Sequence, residues 1–300
     1  MSKTDTDTGQ AAAKPIAPLK GVRVLSLALN LPGPAALMRC VAMGASCRKI
    51  EPPDGDPMGH YMPQAYEQLS AGVKVITADL KTDAGQARIH KELARADVLL
   101  TSFRPSAMAK LGLDWKTLHK QYRKLSQVAI VGAPGPGAEV PGHDLTYLAE
   151  HGLVNGLELP ATLFADMSGS LMASEAVLQA MLERERKGKG VFIEVPLSAA
   201  AAYLALPRHW GLTLSGGSVG GAHAGYQVYP CQDGRAAVAA LEPHFAAGLC
   251  KLAGVKAEAD PHLAKPATRK AIAAFFAAHT CKQLDALAAE HDLPILSLAR

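Results

Sequence analysis

Three residues near the middle of the chain have the types and spacing for acid–base chemistry. His143 and Asp144 stand side by side in PGHDLTYLAEHG, and Asp166 follows in LFADMSGS. An imidazole and a carboxylate can each take and return a proton near neutral pH once their surroundings tune them. A carboxylate can instead attack an activated carbonyl directly. A helix beginning at this pair would offer its positive N-terminal end to an anion or a developing oxyanion. Each residue also has a plain structural use. Asp144 is placed to be an N-cap before Leu145, Tyr147 and Leu148, Asp166 to cap the helix after it, and His143 would then only line a loop.

The elements that must position these residues alternate in type. A strand at 22–27 is broken by LPGP, a helix at 35–43 is closed by Gly44, and a strand at 47–51 runs into the loop EPPDGDPMGH. That is a βαβ unit. The pattern continues with strands at 74–80, 97–103 and 125–131 and helices at 82–95 and 115–122. The loop GAPGPGAEVPGH delivers the chain to His143, and a long helix is expected at 168–186, then a strand at 191–195 and a helix at 199–206. Apolar strands alternating with helices predict an α/β fold, a doubly wound, mostly parallel Rossmann-like large domain over residues 18–215. Ligands collect at the carboxyl ends of such strands, here the loops 28–34, 51–60, 104–105 and 132–144. No G-x-G-x-x-G follows the first strand, so a nicotinamide dinucleotide is not expected.

Residues 216–225, GGSVGGAHAG, have the makeup of a flexible linker. Beyond it a smaller α+β domain, 226–300, is expected, with a hairpin turning at Asp233-Gly234 and helices at 243–252, 265–279 and 282–291. Glu242 stands where hairpin passes to helix, ahead of Pro243. It is either a working acid or a surface acid in a helix's first turn.

The composition is mild: 300 residues, 49% hydrophobic, 19% charged, formal charge +4. It carries no nucleic-acid signature and suits an anionic small molecule. The five cysteines, Cys40, Cys47, Cys231, Cys250 and Cys281, make no C-x-x-C pair and no Cys/His metal spacing, which reads as reduced thiols and no metal. No stretch has the run of about 18 apolar residues a membrane span needs. Residues 1–17 are polar and lack an apolar signal core, so a disordered lead-in and a cytoplasmic protein are expected.

Nine segments in register, among them LKGVRVLSL, KIEPPDGDP, ADVLLTSFRPSAMAKLGLDW, PGHDLTYLAEHG, LFADMSGS and ALEPHF, resemble the family III CoA-transferases, and within them the α-methylacyl-CoA racemase branch. The resemblance runs from about residue 18 to 245 and weakly beyond. It implies a coenzyme A thioester as substrate, with no permanently bound cofactor. His143 and Asp166 would flank the α-carbon of the acyl group, and Glu242 would assist the His. In the transferase branch the residue matching Asp144 instead forms an aspartyl-CoA anhydride. Lys49 and Arg104 match positions that hold CoA phosphates, though as isolated cations these two also read as solvated surface charges; Lys74 matches a further basic position. Racemisation of a 2-methylacyl-CoA is the favoured reading, with CoA transfer or a silent CoA-binding homologue as alternatives. The resemblance also implies an interlocked homodimer. Family members commonly continue beyond a segment like HDLPILSLAR and return to the large domain, and here that return is expected to be missing.

Overall fold

Six strands, β1 (Arg23–Ser26), β2 (Ser46–Glu51), β3 (Lys74–Thr77), β4 (Val98–Thr101), β5 (Ser126–Val131) and β6 (Phe192–Pro196), pair in parallel in the order β3-β2-β1-β4-β5-β6. They come from a computed structural model that describes residues 16–256, 260 and 263–299. All but the end of the lead-in expected at 1–17 lies outside the described residues. Every residue of β4 and β5 is buried, as strands covered on both faces must be. Successive side chains go to opposite faces. Val24 and Val98 enter one core with Leu37 and Val177, whereas Leu25 and Leu99 enter another with Ile89 and Leu118. Helices Pro32–Ala42 and Phe164–Lys187 therefore cover one face, and Asp83–Leu93 and Trp115–Gln121 the other. The doubly wound parallel sheet expected from the strand pattern is present.

Local chemistry sets the helix ends. Thr82 Oγ1 accepts from the N–H of Gly85 at 3.1 Å and opens the helix that follows. Gly188, in the left-handed region at φ +66°, closes Phe164–Lys187 after a last turn carrying Arg184, Arg186 and Lys187. Three short helices, Pro57–Tyr61, Pro63–Ser70 and Pro105–Lys110, are additional to the expected elements, the first starting within the expected loop 51–60 and the third at the end of the expected loop 104–105. Each opens on a proline, whose fixed φ suits a first helical residue and whose missing N–H leaves no donor unsatisfied there.

The chain divides into two compact units, the first running through Leu204 and the second from Ala205. The glycine-rich 216–225 stretch thus falls inside the second unit, and it is not an open linker. Residues Ser218–Ala222 form a single irregular helical turn. A Cβ at Gly220 would sit 1.8 Å from the carbonyl oxygen of Leu214, so this glycine permits backbone to pack on backbone.

The second unit is built on an antiparallel sheet, β7 (Tyr226–Cys231), β8 (Gly234–Ala239) and β9 (Ile295–Ala299), in the order β7-β8-β9. Cys231 pairs with Gly234, which leaves Gln232 and Asp233 as a two-residue hairpin turn. The third strand, β9, is additional to the expected hairpin and forms from the segment ILSLA. Helices Pro243–Leu252, Pro266–Ala277 and Cys281–Glu290 supply Leu249, Ile272, Phe276 and Leu284 to a core completed by Tyr229 and Val238. Among the described residues no helix is long and apolar enough to cross a membrane.

Candidate active site

The carboxyl ends of β1, β4 and β5 open onto a cleft of about 620 Å3. The strand order reverses between β1 and β4, and at such a reversal the loops diverge and leave a crevice for a ligand. The walls come from Leu29, Asn30 and Leu31 after β1, from Tyr61, from Ser102 and Arg104 after β4, from Gly132 after β5, and from His143, Tyr147 and Asp166.

His143 is the N-cap residue of helix Asp144–Glu150, which corrects by one position the expectation that Asp144 caps it. Its N–H donates to Thr146 Oγ1 at 3.0 Å, so this donor is engaged within the helix end and is not free for an oxyanion. The imidazole is exposed on the cleft. Asp144 takes the first helical position and is only 4% exposed. Its Oδ1 accepts the backbone N–H of Asp166 at 2.9 Å.

Asp166 lies in the first turn of Phe164–Lys187, which begins four residues earlier than the expected 168; its N-cap is Leu163, so Asp166 is not the cap either. Asp144 thereby satisfies one of the N–H groups that a helix start leaves without an intrahelical partner. It also sets a second carboxylate close to the first. Burial, and then the charge of Asp144, push the Asp166 carboxyl up to about 6, against an opposing pull from His143. Tyr147 fills the space behind the pair. A Cβ at Gly132 would lie 2.4 Å from its hydroxyl oxygen and one at Gly142 2.7 Å away, so the ring fits only because both positions are glycine. Burial and the Asp166 charge push the Tyr147 phenol up, and Arg104 draws it back down.

A buried polar knot fixes the opposite wall. Lys49 is 1% exposed and pairs with Glu51 at 2.9 Å and with Asp56. Asp56 also caps helix Pro57–Tyr61 through the N–H of Met58 at 2.9 Å and accepts the N–H of Asn30 at 3.1 Å. Tyr66 donates to Glu51 at 3.0 Å. Asn30 is held at φ +63°, a conformation asparagine tolerates better than most residues. Its carboxamide oxygen accepts from the Tyr61 hydroxyl at 3.3 Å on the cleft wall. The expectation that Lys49 holds a phosphate is corrected here: its ammonium is enclosed and neutralised by two carboxylates. Asn30, Tyr61 and Tyr147 line the cleft and Asp56 holds its wall from behind, and sequence reasoning misses all four. Only the Asp-Pro step at 56–57, a cap followed by a first-turn proline, signals one of them.

The remaining candidates separate. Arg104 is exposed at the end of β4 and lines the cleft. Lys74 is exposed at the amino end of β3, the far end of that strand from the cleft, which removes it from the site. Glu242 belongs to the second unit, where it is the exposed N-cap residue of helix Pro243–Leu252 and makes no side-chain capping bond.

The family model for CoA-transferase family III matches residues 19–299. The chain is 32% identical over 261 residues to the α-methylacyl-CoA racemase of Mus musculus, covering 81% of this chain and 66% of that one. It is 31% identical over 204 residues to the cinnamoyl-CoA:phenyllactate CoA-transferase of Clostridium sporogenes, covering 61% of this chain and 50% of that one, so it spans about half that relative's length. The crystal structure of a CAIB/BAIF family protein from Brucella suis superposes with a TM-score of 0.79 at 25% identity, covering 95% of this chain and 85% of that one. The chain belongs to CoA-transferase family III.

Proposed function

We propose that this protein exchanges the α-proton of a 2-methylacyl-CoA, with His143 and Asp166 as the two acid–base groups, and so racemises that carbon. Racemisation needs one group to take a proton from one face of the α-carbon and another to return one to the opposite face. A carboxyl near 6 is matched to that task, since it is readily both acid and base close to neutral pH, and the imidazole supplies the second group. Arg104 would meet a CoA phosphate at the rim.

One observation carries this reading over CoA transfer. His143 and Asp166 line the cleft, while Asp144, the nucleophile that the resemblance to the transferase branch implies, is buried behind them with an oxygen engaged by the Asp166 N–H. Transfer has its own support in the transferase name of the Clostridium relative.

The test is NMR-monitored exchange of the α-proton of a 2-methylacyl-CoA in D2O. Exchange in the native chain should fall by about 10²–10⁴-fold in both His143→Ala and Asp166→Asn, the usual contribution of one general acid or base. Asp144→Asn should keep most of it. No exchange in the native chain, with a hydroxylamine-trapped adduct at Asp144 once an acceptor carboxylic acid is supplied, would replace racemisation by transfer.

A further inference from the structure

The second unit holds a cluster of its own. Among the described residues, Cys231, Asp233 and Cys281 form a group whose ligand atoms all lie within 4.8 Å of one another. The Sγ atoms of Cys231 and Cys281 are 3.5 Å apart, and Cys231 Sγ lies 3.8 Å from Asp233 Oδ1. A tetrahedral ion with Zn–S of about 2.3 Å and Zn–O of about 2.0 Å places its ligands roughly 3.8 Å (S to S) and 3.5 Å (S to O) apart. The cluster already has edges close to those. From this juxtaposition we propose that Cys231, Asp233 and Cys281 bind a zinc ion, with water at the fourth position.

Each ligand is held by a different piece of rigid structure. Cys231 ends β7, Asp233 belongs to the two-residue hairpin turn, and Cys281 opens helix Cys281–Glu290. The helix start favours a thiolate at Cys281. Burial works the other way and pushes that thiol up to about 11, so an ion must displace its proton on binding. The Cys281 N–H donates to Asp233 Oδ1 at 2.7 Å, an outer bond of the kind that orients a ligating carboxylate. Room for the second sulfur depends on Gly234, where a Cβ would come within 3.0 Å of Cys281 Sγ. Asp233 is exposed, which gives an ion a route in, and it makes no salt bridge among the described residues. Two sulfurs and one oxygen suit zinc, since thiolate ligands disfavour magnesium and calcium. Two sulfurs in contact would equally suit a disulfide. The carboxylate fixed beside them has no part in a disulfide, and it is what favours the metal.

The test uses the full chain, reduced and then freed of reductant under anaerobic conditions, titrated with Co2+ as a spectroscopic stand-in. We expect thiolate-to-cobalt charge-transfer absorption saturating at about one ion per chain, displaced by Zn2+ and not by Mg2+. Cys231→Ser and Cys281→Ser should each remove most of it, and Cys40→Ser, Cys47→Ser and Cys250→Ser should leave it intact. Asp233→Asn keeps both thiols and should weaken Co2+ binding by at least the 10–100-fold typical of losing even an outer-shell partner. Far-UV circular dichroism verifies that each variant is folded, and Zn2+ should raise the unfolding midpoint of the native chain but not of Cys231→Ser or Cys281→Ser. A native chain that shows no charge-transfer band overturns the proposal, as does a band that survives Cys281→Ser. So does a chain that binds no Co2+ but yields a Cys231–Cys281 disulfide on exposure to a small-molecule disulfide, in which case the pair is a redox pair.

Discussion

At the scale of single residues, the site turns on one carboxyl group. Asp166 sits near 6 where an aspartate ordinarily sits at 3.8, chiefly because burial disfavours its charge and secondarily because Asp144 is close. The folded chain therefore holds this proton more tightly than the unfolded chain does. Between pH 3.8 and 6 stability falls as pH rises, and above 6 the whole cost is present. That cost is about 3 kcal/mol, since each tenfold gain in proton affinity corresponds to about 1.4 kcal/mol. Asp166→Asn keeps the shape and the N–H to Asp144 and removes the charge. At about pH 8 it should raise stability by about 1–3 kcal/mol in urea unfolding while all but abolishing α-proton exchange. A midpoint that falls instead would mean the charge is compensated and the cause assigned to the raised carboxyl is wrong.

At the scale of elements, the knot around Asp56 joins β2, the loop after β1 and helix Pro57–Tyr61. The carboxylate receives Lys49, the N–H of Asn30 and the N–H of Met58 together. Removing it leaves a buried ammonium short of a partner, uncaps a helix and releases a residue from the left-handed region. Asp56→Ala should therefore cost about 3–5 kcal/mol, the scale on which breaking a buried ion pair destabilises. Loss of about 1 kcal/mol or less in urea unfolding would show that Glu51 alone satisfies Lys49. Because Asn30 and Tyr61 line the cleft, the same change should also weaken binding of a CoA thioester, which isothermal calorimetry on the variant would measure.

At the scale of the whole molecule, each unit has a core of its own, the first split between the two faces of the parallel sheet and the second centred on Phe276. Phe276 is fully buried, with its ring stacked at 4.9 Å on Tyr229. Phe276→Ala should cost about 3–5 kcal/mol. In native-state hydrogen exchange the loss should fall on the amides of β7 and β8 and spare those of β1, β4 and β5. An equal loss in both sheets would mean the two units unfold as one.

The sequence alone determined the order of the six parallel strands and of the longer helices in the first unit, because central strands buried on both faces must be apolar throughout and the helices between them must carry a stripe. It also singled out His143, Asp144, Asp166 and Arg104, through residue types able to do acid–base or anion chemistry and through segments that resemble those of the family III CoA-transferases. What it could not determine were the relations between side chains distant in sequence. Lys49 and Arg104 read alike as cations near strand ends, yet one is enclosed by Glu51 and Asp56 and the other faces the cleft. The glycines of 216–225 read as freedom and in fact permit close backbone contact. Which of two adjacent groups, His143 or Asp144, caps the helix depended on a one-residue shift that no composition encodes. Cys231, Asp233 and Cys281 meet only because a hairpin turn and a helix start come together across the second unit. Periodicity reports which face of an element is buried, and tertiary structure alone decides what that face is buried against.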